Sequence, residues 1–461
     1  MNRLGAYLTA LTAASSLIAS PAASPAFVDS VFLATHNSYS GNVDGAKGSI
    51  PYQLDHGVRF IELDVHDNGY DANHDYSIGH SSPGDLVDHA GNPASNLLHD
   101  WLALIAGWSA AHPTHAPLVV MVDLKDDLTD NANFAAGNMT ALNQELQSAF
   151  GAQLVHPADY VGSPSVDSLR GRVLPLLSGD AGSRTEYKRD VGYRPAVAIN
   201  SRGQIVEVHD SGAGALWYWT GVVAADGSVN WLRHGKFDSG VSPAVALNDA
   251  GQLVEVHQSQ TAATLWYHVG QLGTDGEITW QASHQYDNGV TPTVAFTGSG
   301  SLVEIHQSQS SSQNWTWNGT LAGSTVSWTG NAKTSAALLT KSSASAGGRS
   351  VSVYTGADGP TEAQTLRYNT SGVTGGRIRY QQTAFDEFQA GDSAQLQQGA
   401  LFYAATATNS SFIVSARQSG HVVRGWDFDS ASDATTPLAN YPASNTPWAA
   451  WYQTLTAGAV Q

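Results

Sequence analysis

Apolar and polar positions along this chain follow two different rhythms, and the change of rhythm divides it. Short apolar runs at 28–34, 58–65, 76–80, 117–124 and 172–177 read as strands buried on both faces. Leu97, Leu98, Trp101, Leu102, Leu104, Ile105 and Trp108 recur at helical spacing and predict a helix over 96–111, which His112-Pro113 stops. A second helical stripe, Phe134, Met139, Leu142, Leu146 and Phe150, predicts a helix over 131–150. Strands and helices in alternation imply a parallel sheet covered by helices. Five strands are too few for an eight-stranded barrel. The rest must come from elsewhere.

From residue 193 the pattern becomes a repeat of short alternating strands. Pro195, Pro243 and Pro292 head the same apolar string at spacings of 48 and 49 residues. Val206-Glu207-Val208-His209 recurs as Val254-Glu255-Val256-His257 and Val303-Glu304-Ile305-His306. Trp217, Trp266 and Trp315 share one slot, and Trp231, Trp280 and Trp328 another. A weaker fourth copy spans 335–390, and 186–190 resembles the last strand of a unit (compare Lys236-Phe237-Asp238), which would close a ring. Four short strands per unit, separated by Gly, Asp and Ser turns, predict a propeller-like array. The first rhythm then returns, with strands at 400–404 and 422–426 and a helix over 409–419. The expected fold is therefore an α/β, TIM-type (β/α)8-like distorted barrel interrupted by an inserted all-β propeller-like repeat domain. Its parts are a signal peptide at 1–26, a first barrel part at 27–182, repeats at 183–392 and a C-terminal barrel part at 393–461. Three domains in series are the alternative.

Composition narrows the setting. The chain has 461 residues, long enough for a sizeable core, and no cysteine, which removes disulfides, thiolate chemistry and Cys-ligated zinc. Its net charge of −18 argues against nucleic acid as a partner. Met1-Asn2-Arg3, an apolar stretch from Leu4 to Ala19 and small residues around Ala23 and Ala26 read as an export signal. The expectation is a secreted protein without a transmembrane segment in its mature chain.

The candidate chemistry lies at strand ends. Thr35-His36-Asn37-Ser38-Tyr39 follows one strand, Glu62-Leu63-Asp64 ends another, and Gly79-His80 follows a third. In a parallel barrel the C-terminal strand ends carry the active site. Glu62 and Asp64, at i and i+2, face the same side of a strand. With Asn37, and with Asp123 after a buried strand, they offer the oxygen ligands that hard divalent cations require. His36 and His80 are near-neutral groups suited to proton transfer on either side of a phosphorus atom. Lys125, two residues beyond Asp123, could face the same site and hold a phosphate oxygen. Singly, each is an ordinary polar residue at a strand end. Jointly they mark one site. His56, His66, His74 and His112 read as structural or exposed, and the repeat histidines as structural.

These strings, with Leu54-Asp55-His56-Gly57-Val58-Arg59 leading into Glu62, resemble the catalytic half of calcium-dependent phosphatidylinositol-specific phospholipase C, over roughly 27–180 and more faintly 396–461. The resemblance implies a secreted phosphodiesterase acting on phosphoinositide-type lipids. The inositol 2-hydroxyl would attack phosphorus, diacylglycerol would leave, and an inositol cyclic phosphate would form. It implies His36 on the attack side, with Glu62 a further candidate base, and His80 on the leaving side. Asn37, Glu62, Asp64 and Asp123 would be Ca2+ ligands, and Lys125 and Arg424 substrate contacts. Two departures stand out. The fourth ligand is usually Glu, where this chain has Asp123, and the common layout has no inserted repeats. A glycerophosphodiester phosphodiesterase shares the His and Glu-x-Asp logic but is expected to have Arg where Asn37 stands. A lectin-like protein, touching glycan or a membrane surface through its Trp-rich repeats above an inactive barrel, is the other competitor.

Overall fold

The computed structural model describes residues 24–129, 137–357 and 364–460. Most of the 1–26 export signal, and the start of the helix expected at 131–150 with Phe134, lie outside the described residues. None of the described helices is long and apolar enough to cross a membrane.

Eight parallel strands close into a barrel: β1 (Leu33–Thr35), β2 (Val58–His66), β3 (Leu118–Leu124), β4 (Val173–Gly179), β5 (Phe385–Gln389), β6 (Phe402–Thr406), β7 (Val422–Trp426) and β8 (Tyr441–Ser444). Each pairs with the next, and β1 joins both β2 and β8. Helices Leu98–Ala111 and Met139–Phe150 cover the outside, the first burying Leu98, Trp101, Leu102 and Ile105. Two corrections follow. The run at 76–80 supplies only Ser77–Ile78, an antiparallel appendage to β2 rather than a barrel strand. β5 lies inside the segment assigned to the fourth repeat, whose sheet ends at Arg377.

Strand alternation sorts the barrel interior into layers. Phe60, Val119, Met121, Leu174, Leu176, Phe385, Phe402, Val422 and Tyr441 belong to one apolar cluster that plugs its lower part. Two residues further along several of the same strands, Glu62, Ser178, Glu387 and Arg424 take the inward positions, followed by Asp64. The polar layer thus sits at the C-terminal strand ends, above an apolar floor.

Four antiparallel sheets occupy the gap between β4 and β5. The first runs Tyr193–Ile199, Gln204–Asp210, Ala215–Val223 and Val229–Ser239. The next two repeat it from Val241–Leu247 and Val290–Phe296, and the fourth spans Ser343–Ala346 to Gly376–Arg377. The segment 186–190 does not form a closing strand. Residues Ala181–Lys188 are a helix, and Asp190 alone takes the place that Asp238 and Asp287 take in later units. The insertion leaves from the end of this helix and returns at the start of β5, so it hangs from the barrel face opposite the polar layer.

Each of the first three sheets is pinned by a buried Glu-His-Asp arrangement. Nδ1 of His209, His257 and His306 lies 3.0, 3.0 and 2.9 Å from Glu207, Glu255 and Glu304. Nε2 of each faces an aspartate from just before its own sheet's first strand, Asp190, Asp238 or Asp287. A glycine two residues after each aspartate is required, because a Cβ on Gly192, Gly240 or Gly289 would come within 2.4, 2.6 or 2.5 Å of the histidine ring. The aspartates also accept from Trp219, His268 and Trp317, at 2.6 to 2.8 Å. Asp190, His209 and His234 lie close enough to hold a metal ion. In the third sheet, however, the slots of Trp219 and His234 carry Trp317 and Asn331, which only donate a hydrogen bond to Asp287. Asp238, His257 and His268 are as close together in the second sheet. What all three units share is the aspartate as a hydrogen-bond hub.

His234 bridges the insertion to the barrel, with Nε2 2.9 Å from Asp190 and Nδ1 3.1 Å from Glu186. Burial opposes its charge, but the two carboxylates outweigh burial and push its pKa up to about 10. In the unfolded chain an imidazole ionises near 6.5. The pair therefore contributes its full stability below pH 6.5 and loses it as pH rises through about 10. His234→Asn, which copies Asn331, keeps the donor and removes the charge. The melting temperature of the wild type should fall between pH 7 and 10, and the decline should be clearly shallower in this variant by calorimetry.

Candidate active site

The Thr35-Ser38 string is a hydrogen-bonded corner that places the end of β1 against β2. Thr35 Oγ1 lies 2.6 Å from Ser38 Oγ and donates to Gln53 at 2.7 Å, and Ser38 Oγ accepts from the Glu62 backbone N–H at 2.8 Å. Asn37 turns the corner in the left-handed region, with φ of 45°. Its side-chain amide is buried and forms no hydrogen bond among the described residues. The β2–β3 register sets Asp64 directly beside Asp123.

Glu62, Asp64 and Asp123 each present a carboxylate oxygen within 4.8 Å of the others. Glu62 Oε2 and Asp64 Oδ1 are buried without a hydrogen-bond partner. Leaving such oxygens dry is costly unless a cation or proton meets them. Burial and the neighbouring charges of Asp123 and Glu62 push Asp64 up to about 7. Asp64 also accepts from Tyr39 Oη at 3.0 Å. The donor set is all oxygen, which is the chemistry of a hard divalent cation such as Ca2+. The residues present fit one.

Two basic residues balance this acid. Lys125 Nζ lies 2.6 Å from Asp123 and 3.0 Å from Asp64. Burial opposes its charge, but both aspartates hold it protonated above the ordinary lysine range. Arg424, buried on β7, donates to Glu62 at 2.7 Å and lies 3.8 Å from Glu387. Its guanidinium also packs over the Phe60 and Trp426 rings, at 5.8 and 5.1 Å. Both cations, expected at the substrate, are committed here to carboxylates.

His36 stands above this layer. Its Nδ1 is 3.1 Å from Asp427 and its Nε2 is 4.0 Å from Glu62. Burial opposes protonation, yet Glu62 and Asp427 raise its pKa above the usual value. Asn445 approaches the same Nδ1 at 3.4 Å and accepts from buried Lys47 at 2.9 Å. His80 is exposed on the rim and forms no hydrogen bond or ion pair with His36 or the carboxylates among the described residues. The adjoining Gly79 N–H donates to the Asp64 carbonyl at 3.2 Å, which holds His80 beside the mouth.

Sequence reading missed Asp427, Asn445 and Glu387. Asp427 carried the same signal as its partners, an acid just past an apolar strand, and its φ of 59° marks strain at the site. Asn445 follows a strand that was not anticipated. Glu387 accepts from Ser178 at 2.7 Å inside a run that was read as part of a repeat.

No protein-family model matches this chain, and no curated protein matches it. Among solved structures it is similar to a calcium-dependent phosphoinositol-specific phospholipase C from Pseudomonas, at 23% identity and a TM-score of 0.29, over 33% of this chain and 58% of that one. A Ca2+-dependent phosphatidylinositol-specific phospholipase C from Streptomyces antibioticus matches at 22% identity and 0.28, over 33% and 53%. An exo-β-1,3-galactanase from Clostridium thermocellum matches at 14% and 0.25, over 48% and 56%. The chain therefore spans less than two thirds of each of these structures.

The ion pairs at Lys125 predict a competition. Calcium titration followed by calorimetry should show binding in the wild type and its loss in Asp64→Asn. Lys125→Met, which removes a resident positive charge from the carboxylates, should tighten binding by about tenfold.

Proposed function

We infer that the protein is a secreted, Ca2+-dependent phosphodiesterase that cleaves phosphatidylinositol-type lipids to diacylglycerol and an inositol cyclic phosphate. The observation that carries this reading is the convergence of Glu62, Asp64 and Asp123 beneath an imidazole held by Asp427. Glu62, Asp64 and Asp123, with Asn37, would hold the cation. When bound, it supplies charge stabilisation at phosphorus and makes the attacking hydroxyl more acidic.

The chain's own residues account for the proton transfers. Asp427 fixes the Nδ1 side of His36, so Nε2 is the atom left to accept a proton from the 2-hydroxyl. Glu62, 4.0 Å from that nitrogen, stabilises the imidazolium that results. His80, exposed on the rim, would give a proton to the departing glycerol oxygen. Arg424 acts through Glu62, fixing its carboxylate, rather than on the phosphate. Lys125, tied to Asp64 and Asp123, would be available to a phosphate oxygen if a divalent cation were held by those carboxylates instead.

Cleavage of phosphatidylinositol vesicles should require calcium and stop in chelator. His36→Ala should lower kcat by about 10²–10⁴-fold without loss of calcium binding. Full activity in chelator would remove the calcium assignment. Absence of cleavage of any phosphodiester would remove the enzyme reading.

A further inference from the structure

The seam between the first and second inserted sheets gathers three metal-ligating side chains that the phosphodiesterase reading does not use. Asp238 comes from Val229–Ser239, the last strand of the first sheet, His257 from Gln252–Gln258 and His268 from Thr264–Leu272. Asp238 Oδ2 lies 2.7 Å from His268 Nε2 and 3.8 Å from His257 Nε2. One ligand atom from each residue falls within 4.8 Å of the other two. Two atoms each about 2.1 Å from a tetrahedral ion stand roughly 3.4 Å apart, which lies between the two separations found here.

Nδ1 of both rings is already committed. His257 Nδ1 donates to the fully buried Glu255 at 3.0 Å, and His268 Nδ1 donates to the Gln281 carbonyl at 2.8 Å. In a neutral ring Nε2 then carries a lone pair, and both Nε2 atoms face the Asp238 carboxylate, which can only accept. Three acceptors meet with no donor between them unless a second proton charges a ring or a metal ion takes that proton's place. A far nitrogen fixed by a carboxylate or a backbone carbonyl is also how metal-ligating histidines are held. Two imidazole nitrogens and one carboxylate oxygen suit zinc and related metals, whereas the all-oxygen set of Glu62, Asp64 and Asp123 suits calcium.

The sister sheets lack this combination. The slot of His268 carries Trp219 in the first and Trp317 in the third, and an indole can only donate to the aspartate. In the first sheet His234 lies between the carboxylates of Glu186 and Asp190, which hold a proton on each of its nitrogens. Asp190 is also buried there, whereas Asp238 is 29% exposed and lets an ion and a water ligand in from solvent. We propose that Asp238, His257 and His268 bind one divalent transition-metal ion of the zinc class, which staples the first inserted sheet to the second. Glu255 is a positioning residue that acts through His257. The site is distinct from the phosphodiesterase reading and does not depend on it.

The test is calorimetric titration of the full chain with zinc chloride, with calcium in excess to occupy the upper carboxylates. One zinc ion per chain should bind. His268→Trp, which copies the sister sheets, should weaken binding by about a hundredfold, and Glu255→Gln by about 10–100-fold. His209→Gln, the matching change in the first sheet, should leave it unaltered. Thermal melts establish that each variant is folded, and zinc should raise the melting temperature of the wild type but not of His268→Trp. Independently of any variant, the wild type with one equivalent of Cu2+ should give an electron paramagnetic resonance signal coupled to two imidazoles. Absence of zinc binding, or equal affinity in wild type and a folded His268→Trp, overturns the site and leaves a proton in the metal's place. Loss of zinc in a folded His209→Gln overturns its placement in the second sheet. A copper signal with fewer than two imidazoles overturns the ligand set.

Discussion

The Arg424–Glu62 ion pair is the interaction on which the upper barrel depends. Four carboxylates, Glu62, Asp64, Asp123 and Glu387, crowd one polar layer, and three of them are almost fully buried. Such a layer needs cations or protons inside it, because an unmatched buried charge costs about 3–5 kcal/mol when its partner is removed. Arg424 supplies one, lying between Glu62 and Glu387. Lys125 supplies the other at the solvent edge. Arg424 and Glu62 stand on opposite sides of the insertion in sequence. The acidic layer therefore becomes stable only once the two barrel halves have met, and assembly of the site and closure of the barrel are one event.

The position of the insertion makes that closure feasible. A crossover that leaves from the far end of helix Ala181–Lys188 places the repeats beneath the barrel and leaves the polar layer open above. The junction is stiffened where it must be. Tyr187 Oη donates to Asn143 at 2.6 Å and accepts from the Thr383 and Ala384 backbone N–H groups at 2.7 and 2.9 Å, which aligns the start of β5. Glu186, one residue earlier, is held by Tyr380 and His234. The same short helix thus orients both the returning barrel strand and the first inserted sheet.

Legibility in the sequence followed the physics of burial. β2, β3 and β7 were readable to within a residue or so because a parallel strand covered on both faces is a nearly unbroken apolar run. β5 was not, because its inward residues Glu387 and Gln389 belong to the polar layer and interrupt that run. β8 was hidden by its brevity and by Pro442, which argues against a strand interior. The strands that escaped notice are those whose sequence serves the site or the seam rather than the core. His36, Glu62, Asp64 and Asp123 were visible because each follows or ends a readable strand. His80 was placed on a strand that the barrel does not contain. It reaches the mouth because Gly79 hydrogen-bonds to Asp64.

The apolar floor has a consequence for the site above it. Phe60, Met121, Leu176, Phe402 and Tyr441 form a water-excluding plug beneath the acidic layer. Water reaching that layer from below would screen its carboxylates and weaken their hold on a cation. The plug closes that route, so the layer meets solvent only at the mouth, and its charges act on one another and on a cation at low effective dielectric. Because the apolar stretch spans only part of the barrel's height, polar residues take over at the C-terminal strand ends, and that is where the chemistry is concentrated.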